Sequence, residues 1–214
     1  MPVKECGSHG SNSPRLLNFI RRRIIFIVIL TIVTIIISVL TYIMLHPPKP
    51  RFILQDATVF TFNVSGNPPN LLTSNLQTTL ISRNPDGKTG IYYDRLDVYA
   101  SYHNQQITLA TTIMPTYQGH KEVIVWSPFI GAKYAPIAPT NGLSLVEEQS
   151  SGGVKVLVHL VGKIRWKVGP ITRTTRLFVR CPALISFGDS AAGTVLVGGR
   201  GVKYTLVTVC SVSV

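Results

Sequence analysis

From Ile24 to Leu45 the chain reads IIFIVILTIVTIIISVLTYIML, without a single charged residue. As a helix this run is about 33 Å long, enough to cross the hydrocarbon of a bilayer. A cleaved signal peptide is the competing reading, but its apolar region usually covers only about 7–15 residues and ends in a small-x-small site. No such site follows this run. The stretch therefore predicts a transmembrane signal-anchor helix over residues 24–45. Lys4, Arg15, Arg21, Arg22 and Arg23 precede it, whereas only Lys49 and Arg51 follow closely. Positively charged flanks resist translocation, so the basic tail of residues 1–23 is expected in the cytosol and everything from His46 onward outside.

That topology divides the charge of +12 into a cytosolic share of +4 and an outer share of +8. Anionic lipid at the cytoplasmic surface accounts for the first. The second suits an acidic partner, or is ordinary solvation of a domain surface. Nucleic acid is disfavoured as a partner, because the basic domain lies across the membrane from it. The same division sorts the three cysteines. Cys6 is on the reducing side, where a juxtamembrane thiol is either a palmitoylation site or idle. Cys181 and Cys210 fall on the oxidising side in strand-like segments, where they can pair across a loop of about 30 residues.

HPPKPR and the residue after it, 46–52, favour an extended stalk, since proline cannot continue a helix. Beyond it the chain alternates apolar and polar residues in short runs. In ATVFTFNV, residues 57–64, Phe60, Phe62 and Val64 share one face and Val59, Thr61 and Asn63 the other. LQTTLIS at 76–82 alternates again, and RLDVYASY at 95–102 aligns Leu96, Val98, Ala100 and Tyr102. Between them NPDGKTG, residues 84–90, reads as a corner, with Gly87 tolerating positive φ and Gly90 allowing a second bend. Tyr92 and Tyr93 then point to opposite faces, one inward with its hydroxyl at the rim and one at the surface. ITLATTI, VIVW, VKVLVHLV, KIRWKV, RLFVRC and two β-branched runs after Gly193 continue the pattern. Strands at this spacing predict an antiparallel β-sandwich over residues 53–214. No stretch beyond the membrane sustains a helical period; PALISFGDSAAG supplies one turn at most.

Catalytic and metal-binding patterns are missing. The histidines His9, His46, His103, His120 and His159 have no metal-ligand spacing, and there is no nucleophile elbow, Walker loop or H-E-x-x-H. Asp94 and Asp97, three apart on a strand, are expected on opposite faces, which argues against a joint acid/base role. The chain thus reads as a non-enzyme without a cofactor. Its most suggestive binding feature is GKIRWKVG, residues 162–169, which sets Lys163, Arg165 and Lys167 on one face and Ile164, Trp166 and Val168 on the other. The cations are either a solvated face or a docking surface for polyanions or acidic proteins, which Arg173, Arg176 and Arg180 would widen. Asn63-Val64-Ser65 is a glycosylation sequon on the predicted outer side.

Anchor, stalk and corner together closely resemble the plant harpin-induced and non-race-specific-disease-resistance-like proteins, membrane-anchored members of the late-embryogenesis-abundant type-2 group. The resemblance rests on KECGSHG, KPRFILQDATV, NPDGKTGIYYD, PTYQGHKEVIVWSP, RWKVG and the terminal CSVSV. It implies an immunoglobulin- or fibronectin-III-like β-sandwich of the type-2 kind, single-pass residence in the plasma membrane, and participation in defence or stress responses through a non-catalytic interaction module with a protein partner. The alternative it leaves is a structural protectant that links the membrane to polyanionic cell wall.

Overall fold

The computed structural model describes residues 14–45, 48–168, 171–187, 194–197 and 201–214. The chain divides into two compact units, Met1–His46 and Pro47–Val214. In the first, helix α1 runs Pro14–Leu45 and so extends on its N-terminal side through the arginine cluster. Its stretch Asn18–Tyr42 is long and apolar enough to cross a membrane, and none of it is buried by protein. An apolar helix with no protein cover needs a nonpolar solvent to be stable, which is what a bilayer supplies.

The second unit is built almost entirely from antiparallel strands. In chain order these are β1 (Arg51–Ser65), β2 (Leu71–Arg83), β3 (Gly90–Tyr102), β4 (Gln105–Gln106), β5 (Thr111–Ile113), β6 (Thr116–Gln118), β7 (Val123–Trp126), β8 (Phe129–Pro136), β9 (Gly153–Val168), β10 (Ile171–Ser186), β11 (Thr194–Val197), β12 (Gly201–Val209) and β13 (Ser211–Ser213). One sheet has the order β11-β12-β1-β2-β7, with β8 also on β2. The other has the order β13-β10-β9-β3-β4, with β5 and β6 also on β3. Each sheet turns one face to a shared core, to which the first gives Phe52, Leu54, Leu72 and Leu80 and the second Ile91, Leu96, Val98, Leu160, Ile164 and Leu177. This is the expected sandwich, and Leu96, Val98, Ala100 and Tyr102 are all buried as their alternation predicts.

Three departures from simple alternation matter. The pairing of β1 with β2 shifts between Leu54 and Asp56 and again between Val59 and Thr61. Each bulge adds a residue and moves the following side chains to the other face. Val59 therefore joins Phe62 in the core, while Phe60 packs on Phe129 at 5.8 Å, contrary to the face assignment from period alone. A third bulge, between Tyr93 and Arg95, acts on the second sheet. The third departure is helix α2, Pro139–Ser150, where the sequence suggested no helix of that length. It escapes pattern reading because it buries only Gly142 and Leu145 and leaves Leu143 and Val146 exposed, so no apolar stripe develops. Gly142 is required by packing: a Cβ there would lie 2.0 Å from the carbonyl oxygen of Pro69.

The corner at residues 84–90 is organised by Asn84, which is fully buried. Its Nδ2 donates to the carbonyls of Thr89 (2.7 Å) and Gly119 (3.0 Å), and its Oδ1 accepts from the Asp86 N–H at 3.0 Å. Positive φ was expected at Gly87, yet among the described glycines it occurs at Gly66 and Gly152. Gly90 is there for room, since a Cβ would lie 2.3 Å from the Tyr117 hydroxyl. Tyr93 points inward, but its hydroxyl sits inside the core edge rather than at the rim. It donates to Gln118 Oε1 at 2.8 Å and lies 2.9 Å from Ser82 Oγ. Burial pushes its pKa well above the ordinary tyrosine value.

Candidate functional site

The outer face of the second sheet carries the chemistry. Strand β9 is one uninterrupted strand, with Val154, Val156, Val158, Leu160, Ile164 and Trp166 buried. Its alternate residues Lys163, Arg165 and Lys167 are exposed, as the sequence predicts. Pairing with β3 and β10 then builds rows across the sheet. Lys163 stands directly opposite Arg95 on one side and Arg176 on the other. His159 stands between Tyr99 and Arg180, and Arg165 between Tyr92 and Thr174.

These rows separate compensated from uncompensated charge. The Arg165 guanidinium reaches Asp94, with Nη2 2.6 Å from Oδ1, and lies over the Tyr92 ring at 5.4 Å. Tyr92 in turn packs on Tyr117 at 4.4 Å between ring centres. Arg95 pairs with Asp97 at 3.2 Å, and Thr112 donates to the same carboxylate at 2.6 Å. The expectation that Asp94 and Asp97 face opposite ways is thus corrected. The bulge at Asp94 resets the alternation, and both carboxylates serve arginines of the outer face. Among the described residues Lys163, Lys167, Arg176 and Arg180 form no ion pair. Of the cations that the sequence singles out, Arg165 is tied to an acid and Arg176 stands opposite Lys163; Arg95 is the neighbour that only the register adds.

Cys181 and Cys210 are joined, with S–S 1.99 Å and Cα–Cα 4.4 Å. They sit where the C-terminal segment changes sheets. The Cys210 N–H still donates to Phe52 O of the first sheet at 2.9 Å, whereas Ser211 already pairs with Arg180 of the second. Asn63 is exposed near the end of β1, opposite Thr73. Glycosidase treatment of protein made in plant cells should raise its mobility, and Asn63→Gln should abolish that shift. An unmodified wild-type protein would remove both the glycan and this support for an outward-facing domain. Cys6 lies outside the described residues.

The class of protein is therefore an antiparallel two-sheet domain with one N-terminal candidate membrane span and a cation-rich sheet face. NDR1/HIN1-like protein 1 of Arabidopsis thaliana is 55% identical over 213 residues, 99% of this chain and 100% of the relative. NDR1/HIN1-like protein 12 of the same plant is 52% identical over 100% of both chains. NDR1/HIN1-like protein 26 is 36% identical over 77% of this chain and 78% of its own. The chain belongs to the NDR1/HIN1-like family. No family model matches it. Among solved structures, an Archaeoglobus fulgidus protein superposes with TM-score 0.35 at 7% identity, over 64% of this chain and 98% of its own. A late embryogenesis abundant protein does so with TM-score 0.31 at 12% identity, over 86% and 98%.

Proposed function

We propose that this NDR1/HIN1-like protein is a single-pass plasma-membrane protein, its N-terminus cytosolic. Its extracellular β-sandwich acts in defence or stress responses as a non-catalytic interaction module. Family membership supports the defence and stress setting, and the apolar helix supports anchoring. One observation carries the mode of action: Arg95, Lys163 and Arg176 stand in a single cross-strand row. Like charges placed directly opposite on a sheet destabilise it, and only Arg95 has an acidic neighbour in an ion pair. A row that opposes folding is accounted for by an anionic partner that neutralises it. The partner is an acidic protein surface or, on the second reading, the polyanionic cell wall, to which the same row would tie the membrane.

Replacing Lys163, Arg165 and Lys167 together with Gln should weaken retention of the full chain on a pectin matrix and flatten its salt dependence. Screened surface charges act over only about 8–10 Å. Lys163→Gln with Arg176→Gln should have a comparable effect with one cation fewer removed, because Arg165 is already held by Asp94. Neither variant should destabilise the fold: relieving like charges that stand opposite on a sheet should raise stability slightly, by under about 1 kcal/mol. Full pectin retention in both variants would eliminate the wall reading. Unchanged crosslinking to protein partners as well would eliminate the cation row as the contact surface.

A further inference from the structure

Beside the cation row the same sheet face contains a depression of about 310 Å³, lined by Tyr99, Ser101, Asn104, Gln106, Leu157, His159 and Arg180. We propose that it is a binding site for a hydroxylated carboxylate, a sugar acid of the uronic type. The fork of Arg180 receives the carboxylate, and the amides of Asn104 and Gln106 receive hydroxyl groups.

Part of the wall is fixed before any ligand arrives. His159 is clamped from one strand: its Nε2 lies 2.7 Å from Ser101 Oγ, and its ring stacks on Tyr99 at 5.0 Å and 9°. Gln106 donates to Thr108 O at 2.7 Å, which leaves its amide oxygen as an acceptor. Asn104 is placed by a two-residue turn between β3 and β4, in which His103 and Asn104 have φ of 43° and 64°. Arg180 is exposed, and no carboxylate of the described residues pairs with it. Guanidinium recognises a planar carboxylate through two parallel hydrogen bonds, a geometry that a neutral sugar cannot offer. The volume is at the lower end of the range of about 300–1,000 Å³ common for small-ligand sites and suits a monosaccharide. Leu157 offers an apolar surface to a sugar ring.

Charge around the imidazole sets a pH dependence. Arg180 faces it from β10 and Tyr99 and Ser101 from β3. The adjoining depression holds Lys155, His103 and Glu148. Glu148 is already engaged, accepting from the Tyr102 hydroxyl at 2.9 Å and lying 3.9 Å from His103 Nε2. Burial first, and then Arg180, hold His159 below the ordinary histidine pKa. A bound anion favours the imidazolium, so binding should tighten as pH falls from 7.5 to 5.

The test is calorimetric titration of the full chain in nanodiscs with sodium galacturonate, galactose, sodium sulfate and trigalacturonate. Galacturonate should bind and galactose should not. Arg180→Gln should weaken binding at least tenfold, Arg180→Lys should keep part of it, and His159→Gln should remove the pH dependence. Trigalacturonate binding ten times tighter than the monomer marks a polysaccharide chain as the natural source, and equal affinity marks the free acid; either supports the site provided Arg180→Gln weakens it at least tenfold. Lys163→Gln with Arg176→Gln should leave galacturonate affinity within twofold, so failure of the cation row and failure of this site are read separately. Three results would overturn the proposal: unchanged affinity in Arg180→Gln, equal binding of sulfate, or an equal loss in the Lys163/Arg176 variant.

Discussion

Trp166→Ala is expected to destabilise the β-sandwich by about 3–5 kcal/mol, the cost of deleting a large aromatic ring from a packed core. Only 3% of Trp166 is exposed, and it stands opposite Ile91 near the end of β9, the middle strand of the second sheet. Its Nε1 donates to Thr175 Oγ1 at 3.2 Å, so the alanine variant loses both ring contacts and that bond. Thermal unfolding of the full chain, followed by near-ultraviolet circular dichroism, should show a midpoint roughly 10 °C lower at 2–4 °C per kcal/mol. Trp166→Phe keeps most of the packing and should cost less than half as much. The neighbouring Lys167→Gln should leave the midpoint unchanged, since its side chain is exposed. A midpoint for Trp166→Ala within 2–3 °C of wild type would mean that this face of β9 is not core.

Cys181→Ser should cost about 2–5 kcal/mol. The bridge spans a sequence separation of 29, for which loop-closure entropy alone gives roughly 3–4 kcal/mol. Its position gives a local reason as well. It holds the C-terminal segment where it leaves β1 of the first sheet and joins β10 of the second. Loss of the bridge should free β13 before the rest of the domain. Hydrogen exchange at Val212 and Ser213 should then rise more than at Leu160 or Ile164, which are buried in the centre of the second sheet. Non-reducing peptide mapping should recover Cys181 joined to Cys210. Two free thiols in protein isolated from plant membranes, or equal stability with and without reductant, would reject the bridge.

Much of the fold was legible because strand burial is a local, two-residue period. The inward Trp166 and outward Lys163, Arg165 and Lys167 follow from that period alone. So do the burial of Leu96, Val98, Ala100 and Tyr102. Strand β8 was not legible: FIGAKYAP has no clean alternation, and it is held as a strand because β2 presents a paired edge to it over Leu71–Gln77. Helix α2 was hidden for the same kind of reason. Its place depends on Leu145 and on the close approach of Gly142 to Pro69, neither of which makes a periodic stripe.

The sequence by itself determined the 22-residue apolar run, the alternation that makes the rest β, and the exposed sequon. These depend on composition and on spacing between near neighbours. Tertiary structure alone decided which cations meet. Register placed Arg95 and Arg176 on either side of Lys163, and a single bulge at Asp94 gave Arg165 its acid. It also set Arg180, more than twenty residues after His159 in the chain, directly opposite it, with Tyr99 on the other side of the imidazole. Cross-strand neighbours lie about 5 Å apart whatever their separation in the chain. Their identity is fixed by register, and register depends on the core as a whole.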